Sequence, residues 1–359
     1  MSAPLHILVV GAGGIAPYHT RELLVQPDVR VTLADADPAR ARALATKLGA
    51  DLPVVDSLAA GLALRPDAAL ICTPPYLHAP MAREVLDAGV HAIVEKPPAA
   101  SLAELDALIA LAASRRLLLL PIVQVRVSSA SYLLRALAEA DLTGRFLHGT
   151  VETHWRRDME YYSAPWRGRH ATEIGGPWAG LAIHGLDMVL PHLPPVRSVQ
   201  AHSATLNHPI EVEDCGAALL RCEGGGWFVY TVTTHAHAEQ NTGRLVFEHC
   251  EVRYATSPYS YMEEPWTVVC VDPARQAQVD ACRARIVEPP VPTGHSQSFH
   301  RQAQLWCAIL RGGNPRGRDM ASYRPTFELL TAIYAASKSG GAVALPITRD
   351  HPQYQRLAP

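Results

Sequence analysis

The chain has 359 residues, of which 48% are hydrophobic and 18% charged, enough apolar matter for two domains with sizeable cores and too much for a disordered chain. Its formal charge of -2 leaves no basic field for nucleic acid or an anionic membrane, so a small-molecule partner is expected. The seven cysteines include no Cys-x-x-Cys pair, the N-terminus lacks the features of a signal peptide, and no apolar run reaches about 18 residues, which predicts reduced thiols, a cytoplasmic setting and no transmembrane helix.

Residues 5–10 form a continuous apolar run ending at Gly11, the mark of a strand buried on both faces of a parallel sheet. A helix is predicted over 15–24, a second strand over 29–34 closing at Asp35, and a second helix over 38–47 ending near Gly49. The alternation continues with a strand at 68–72, a helix at 78–88 and a strand at 91–94. Ser101 is placed to cap a helix reaching 114, with Glu104 as its capping-box partner, and a strand at 117–123 closes the set. Repeated strand-helix units joined by short connections imply a doubly wound parallel sheet.

Beyond about residue 126 the pattern changes. A helix at 131–139 leads to alternating strands at 146–153, 196–204, 216–222, 227–234 and 244–248, which predict an antiparallel sheet with one covered face. Gly224-Gly225-Gly226 reads as a hairpin turn. Two helices, at 298–310 and 323–338, and a short strand at 343–347 complete the chain. The predicted fold class is α/β: an N-terminal Rossmann domain over 1–125, and over 126–359 an α+β domain with a large, mostly antiparallel open sheet.

The turn Gly11-Ala12-Gly13-Gly14-Ile15-Ala16 carries the first chemistry. Gly11 permits the tight turn, Gly13 lets the backbone approach a pyrophosphate, and Ala16 allows close helix packing. The anion would rest on the unpaired amides of the helix N-terminus. Asp35, at the end of the next strand, stands where a carboxylate accepts from a ribose hydroxyl and repels a 2′-phosphate, which favours NAD over NADP. Arg40 and Arg42, on the following helix, still leave NADP within reach.

This turn, Cys72-Thr73-Pro74-Pro75 with His78, and Ala88-Gly89-Val90-His91-Ala92-Ile93-Val94-Glu95-Lys96-Pro97 together resemble the Gfo/Idh/MocA oxidoreductase family. The likeness extends to Gly175-Gly176 ahead of His184-Gly185-Leu186-Asp187 and to the segment from Ser339 to Pro346. It implies an NAD-dependent enzyme moving a hydride between nicotinamide and a secondary alcohol of a sugar, sugar acid or cyclitol, in a homodimer or homotetramer. It also implies that Gly14, Ile15, Thr73, Pro74, Pro75, His78, Glu95, Lys96, Gln124, Trp166 and Arg167 join Gly11, Gly13, Ala16 and Asp35 at the cofactor. Lys96 and His184 are the implied proton-transfer residues: a lysine of lowered pKa or a neutral imidazole takes a hydroxyl proton near neutral pH.

One position departs from the family pattern. Where many relatives carry an aspartate four residues before the histidine, this chain has Gly180, which leaves proton transfer to Lys96, His184, Asp187 or water. An NAD-recycling hydrolase or lyase and a non-catalytic NAD-binding member therefore stand as alternatives. Arg126, Trp155, Arg156, Tyr162 and Arg167, with Lys96, His184 and Asp187, are the expected substrate contacts, since aromatic faces stack on sugar rings and arginines bind carboxylates in a fork. His235 and His237 share a strand face without an evident third ligand, so no metal is expected, and Glu211, Glu213 and Asp214 read as a solvated turn.

Overall fold

A computed structural model describes residues 4–122, 124–262, 266–314 and 316–357. The chain divides into two compact units, Met1–Gln124 with Val291–Arg324, and Val125–Pro290 with Pro325–Pro359.

The first unit runs β1 (Leu5–Val10), α1 (Ala16–Leu24), β2 (Val29–Ala34), α2 (Pro38–Leu48), β3 (Val54–Val55), α3 (Leu58–Ala63), β4 (Ala68–Ile71), α4 (His78–Asp87), β5 (His91–Val94), α5 (Leu102–Arg115) and β6 (Leu119–Pro121). Its sheet has the order β3-β2-β1-β4-β5-β6 with every neighbour parallel, the doubly wound arrangement expected. The order reverses between β1 and β4, so the loops after those strands open at a switch point where ligands bind. Local chemistry sets the helix starts: Asp37 caps α2 through the Ala39 amide at 3.0 Å, and Ser101 caps α5 through the Glu104 amide at 3.1 Å. Glu104 reaches back to the Ala100 amide, one residue earlier than a standard capping box. The short β3 and α3 were not anticipated, being too brief for periodicity to register. Val123, the last residue of the strand expected over 117–123, lies outside the described residues.

The division at 125 corrects one expectation. Residues 126–359 do not form a single second domain, because Val291–Arg324 returns to the first unit. Its helix supplies Ala303, Trp306, Cys307 and Ile309 to the same buried cluster as Ile7, Val9, Leu23, Leu33 and Leu70. Burying so much apolar surface outweighs proximity along the chain.

The second unit adds α6 (Ser129–Glu139), β7 (Phe146–Arg156), α7 (His170–Glu173), α8 (Ile183–Val189), β8 (Val196–Ala204), β9 (Cys215–Cys222), β10 (Trp227–Thr233), β11 (His235–Phe247), β12 (Glu251–Thr256), β13 (Thr267–Val269) and α9 (Pro273–Ala284). The returning helix α10 (Gln297–Leu310), the long α11 (Met320–Ser339) and β14 (Val343–Ala344) follow. The second sheet is ordered β13-β12-β11-β7-β10-β9-β8-β14 and is antiparallel except where β10 lies parallel to β7. Burial alternates along β10, so one face of that strand is covered, as its period-two pattern predicts. The turn from β9 to β10 holds Gly224 and Gly225 at positive φ, as the triple glycine suggested.

Candidate active site

In the first unit the glycine turn has the shape a dinucleotide requires. Gly11 sits at φ 92°, and a Cβ there would press at 3.0 Å on the Cys72 backbone, so only glycine fits. Gly13 and Gly14 are exposed, with no heavy atom within 4 Å of where a Cβ would stand, which leaves the backbone open to a pyrophosphate. Ile15 is half-buried, and Ala16 is fully buried at the start of α1. Asp35 braces this turn: its carboxylate accepts from the Ala12 amide at 2.7 Å and the Asp37 amide at 2.9 Å. Because each carboxylate oxygen carries two acceptor sites, the half-exposed group still has capacity for a ribose hydroxyl.

The loop after β4 and the turn after β5 are tied by one histidine. His78 Nδ1 lies 2.7 Å from the Pro97 carbonyl oxygen and Nε2 lies 2.8 Å from that of Thr73, so the ring spans the two segments. Burial lowers its pKa, while the two carbonyls and the nearby Glu95 raise it. Thr73 and Pro74 are half-buried, Pro75 is buried, and Lys96 is half-buried beside a cis bond to Pro97.

Glu95 is the anchor of that turn. It accepts from the Lys96 amide at 2.9 Å and pairs at 2.8 Å with His19 of α1, a residue absent from the expected site. Burial pushes the Glu95 pKa up, but His19 and Lys96 overcome it and hold the acid at about 2, so the carboxylate is ionised across the physiological range. His19 in turn packs against Phe299 and Trp306 of the returning helix. Gln124 is buried, and its amide oxygen has no partner among the described residues.

The remaining expected residues belong to the second unit. Arg126 and Asp187, both expected at substrate, grip each other in a buried fork of 2.8 and 2.6 Å, and Thr326 donates to the same carboxylate at 2.6 Å. Asp187 is therefore engaged as an ion-pair partner of Arg126, next to the half-buried His184 on α8. Trp155 is 3% exposed, its Nε1 donating to Asn241 at 3.2 Å and its ring lying against Tyr259. Arg156 is exposed, and Tyr162 is buried edge-on against Tyr161, with burial raising its pKa to about 12. Arg167 stacks 3.9 Å above the Tyr161 ring and 4.3 Å above that of Trp166, and it pairs with Glu173 at 3.1 Å. Arg157, over Trp155 and Tyr161, extends this ladder of cations and rings.

Tyr161, Tyr162, Glu173, Gly176, Gly180 and Thr234, among others, line a cleft too narrow to hold a water molecule. Gly180 lies in a π-helical turn, Trp178–Ala182, that precedes α8, so the expected single α-helical turn between it and His184 is not what forms. The start of that turn is held by Glu213, which accepts from the Gly176 amide at 3.0 Å, the Trp178 amide at 3.2 Å and the Tyr334 hydroxyl at 2.8 Å. A Cβ on Gly176 would overlap Glu213, which explains the glycine. Burial raises the Glu213 pKa to about 7, despite lowering by Tyr334 and the amides. Glu213 and Asp214 thus overturn the solvated-turn reading: both are buried, and Asp214 accepts from the Leu206, Asn207 and His208 amides. The signal available in the sequence was their apolar flank, Val212 and Cys215.

Together these features define a Rossmann nucleotide-binding unit followed by an α+β unit carrying polar and aromatic clusters. The chain belongs to the Gfo/Idh/MocA family: residues 5–122 match its N-terminal part, described as an oxidoreductase family with an NAD-binding Rossmann fold, and residues 133–253 match its C-terminal domain. It is 29% identical over 209 residues to the D-glucoside 3-dehydrogenase of Escherichia coli, spanning 56% of this chain and 58% of that protein. It is 25% identical over 342 residues to a putative UDP-kanosamine synthase oxidoreductase subunit of Amycolatopsis mediterranei, spanning 88% of this chain and 91% of that one. Among solved structures it resembles the WlbA dehydrogenase of Bordetella pertussis in complex with NADH and UDP-GlcNAcA, with a TM-score of 0.83 and 25% identity over 97% of this chain and 99% of that one. Among the described residues, no helix is long and apolar enough to cross a membrane.

Proposed function

We propose that this chain is an NAD-dependent dehydrogenase acting on a secondary hydroxyl of a hexose unit, presented as a nucleoside-diphosphate sugar or a glycoside. The observation that carries the reading is the intact dinucleotide turn with Asp35, in a chain similar over nearly its whole length to a dehydrogenase crystallised with NADH and UDP-GlcNAcA. Bound NAD would supply the hydride acceptor. The exposed amides of Gly13 and Gly14 would hold its pyrophosphate, Asp35 its ribose, and the loop of Thr73, Pro74 and Pro75 would cover it.

Lys96 and His184 are the proposed proton acceptors for the substrate hydroxyl. As the carbon loses its hydride, the hydroxyl proton passes to one of these bases and a ketone forms, so charge and electrons balance. Glu95, ionised and fixed by His19, keeps the Lys96 backbone in place. In reverse, Lys96 polarises the carbonyl. The guanidinium groups of Arg156 and Arg169, both exposed, favour a carboxylated or phosphorylated substrate.

The test is turnover of purified protein with NAD and a panel of glucosides, nucleoside-diphosphate hexoses and their uronates, followed by NADH absorbance and product analysis. Substrate-dependent NADH formation that falls at least ~100-fold in Lys96→Ala and His184→Ala, with NAD affinity kept, supports the reading. Product without net NADH would replace it with the NAD-recycling reaction that Gly180 leaves open, and binding of NAD without any turnover would replace it with a non-catalytic role.

A further inference from the structure

Three side chains that the dehydrogenase reading does not use converge on one point of the second unit. His208 and Asp214 come from the connection between β8 and β9, and His235 begins β11. His208, Asp214 and His235 each offer one ligand atom, and these atoms lie within 4.8 Å of one another. His235 Nε2 is 2.9 Å and His208 Nδ1 3.5 Å from the same Asp214 oxygen, Oδ2.

The neighbours fix the protons. His208 Nε2 lies 2.8 Å from the Arg157 carbonyl oxygen, which only accepts, so Nε2 carries the hydrogen and Nδ1 of the neutral ring is a bare lone pair. That Nδ1 is buried and has no hydrogen-bond partner among the described residues. It faces a carboxylate oxygen, so two lone pairs meet where a cation belongs. A proton on Nδ1 would bridge 3.5 Å, long for a charge-assisted hydrogen bond.

A metal ion answers the geometry better. Two imidazoles and a carboxylate are a donor set for zinc and its borderline neighbours. The Arg157 carbonyl on Nε2 is the outer support that orients a ligating histidine. His235 Nδ1 lies 3.0 Å from the Asn207 side-chain amide, and with that amide turned to present its oxygen, Nδ1 holds the hydrogen and Nε2 is free to ligate. The two rings are 4.4 Å apart at 30°, as neighbouring ligands of one ion would be. Asp214 Oδ2 keeps its bonds from the Asn207 and His208 amides, and the ion displaces only the His235 contact.

The geometry points to a binding site for one divalent transition-metal ion of the zinc type, formed by His208, Asp214 and His235. His235, with 23% of its side chain exposed, gives the ion its entry. The ion ties the stretch from Arg157 to Tyr162 to the sheet, through the Arg157 carbonyl and the Tyr162 ring 4.8 Å from that of His208. The third ligand that His235 and His237 lacked as a strand pair is Asp214, from the segment read as a turn.

A second cluster, Glu22 with His295 and His300, serves as the control, since Glu22 accepts from both rings at 2.9 Å and no buried nitrogen there is without a partner among the described residues. Untagged, chelator-stripped protein is titrated with Zn²⁺ by calorimetry and with Co²⁺ by absorption. The expected result is one equivalent bound in the micromolar range or tighter, without a thiolate charge-transfer band. Affinity should fall at least ~100-fold in His208→Asn and in His235→Asn and stay unchanged in His295→Asn. No saturable binding, a thiolate band, or loss of binding in His295→Asn alone overturns the site. Should the His208 variant fail to fold, histidine nitrogen NMR of the wild-type protein decides: Zn²⁺ must shift the His208 Nδ1 resonance, and an unmoved resonance sinks the proposal.

Discussion

Glu95 in the first unit and Glu213 in the second are both buried carboxylates, yet one is held near pKa 2 and the other near 7. Burial drives both upward. Glu95 is offset by His19, which can carry a positive charge, and by the Lys96 ammonium, whereas the donors that Glu213 meets among the described residues are neutral, two backbone amides and the Tyr334 hydroxyl. A buried acid stays ionised when a cation answers it; amides and a hydroxyl alone leave it divided between its neutral and ionised forms near pH 7. The first unit thereby keeps a permanent charge beside Lys96, and the second keeps a titrating group at the foot of the helix that carries His184.

The largest effect expected from breaking this contrast is at Glu95. Glu95→Gln removes the ionised partner of His19 and should cost about 3 kcal/mol by urea denaturation at pH 7, with turnover nearly abolished. Its folded pKa is depressed, so the wild-type advantage is present above about pH 4.5 and is lost as pH falls toward 2. An unchanged midpoint at pH 7 would show that the charge does not support the turn.

Glu213 should behave with the opposite sign. Its folded pKa is raised, so the stabilisation is full below about 4.5 and is lost as pH rises through 7, a fall of roughly 3 kcal/mol for the wild type across that window. Melting temperatures of Glu213→Gln against pH should be flat there, with the variant gaining on the wild type at pH 8. Parallel curves for the two proteins would mean that Glu213 does not titrate near 7.

Two glycines refine the comparison on a smaller scale. Gly176→Ala forces a methyl into Glu213 and should cost about 2 kcal/mol, read from the denaturation midpoint. Gly180→Ala meets nothing within 4 Å and should change stability by less than about 1 kcal/mol, toward stabilisation where the helix gains from a better former. A loss above about 2 kcal/mol at Gly180 would contradict the open space beside it.

The difference between the units also governs how much of each was legible in the sequence. The glycine turn, Asp35, the Ser101 cap and the apolar strands of the first unit are local: their meaning lies within a few residues, and their predicted boundaries lie within two residues of those observed. His19 carries no local signal because its partner Glu95 is 76 positions away, and Glu213 reads as part of a solvated turn because its partner Tyr334 is 121 away. Trp155 and Tyr162 looked like exposed sugar platforms because aromatic residues amid arginines have the same composition whether they face solvent or each other. The parallel pairing of β10 with β7 and the long β11 follow from sheet topology, to which alternation along one strand is blind.

The return of Val291–Arg324 bears on how the protein is made. A ribosome releases the chain from its N-terminus, so β1 to β6 emerge early but lack Trp306, Cys307 and Ile309 until more than 300 residues have been synthesised. Every strand of the second sheet except β14 has left the tunnel before then. The unit encoded first is thus among the last to complete its core, and a chain truncated at residue 125 would be an unfinished domain with its apolar face uncovered, a target for chaperones and proteases rather than a portable nucleotide-binding module.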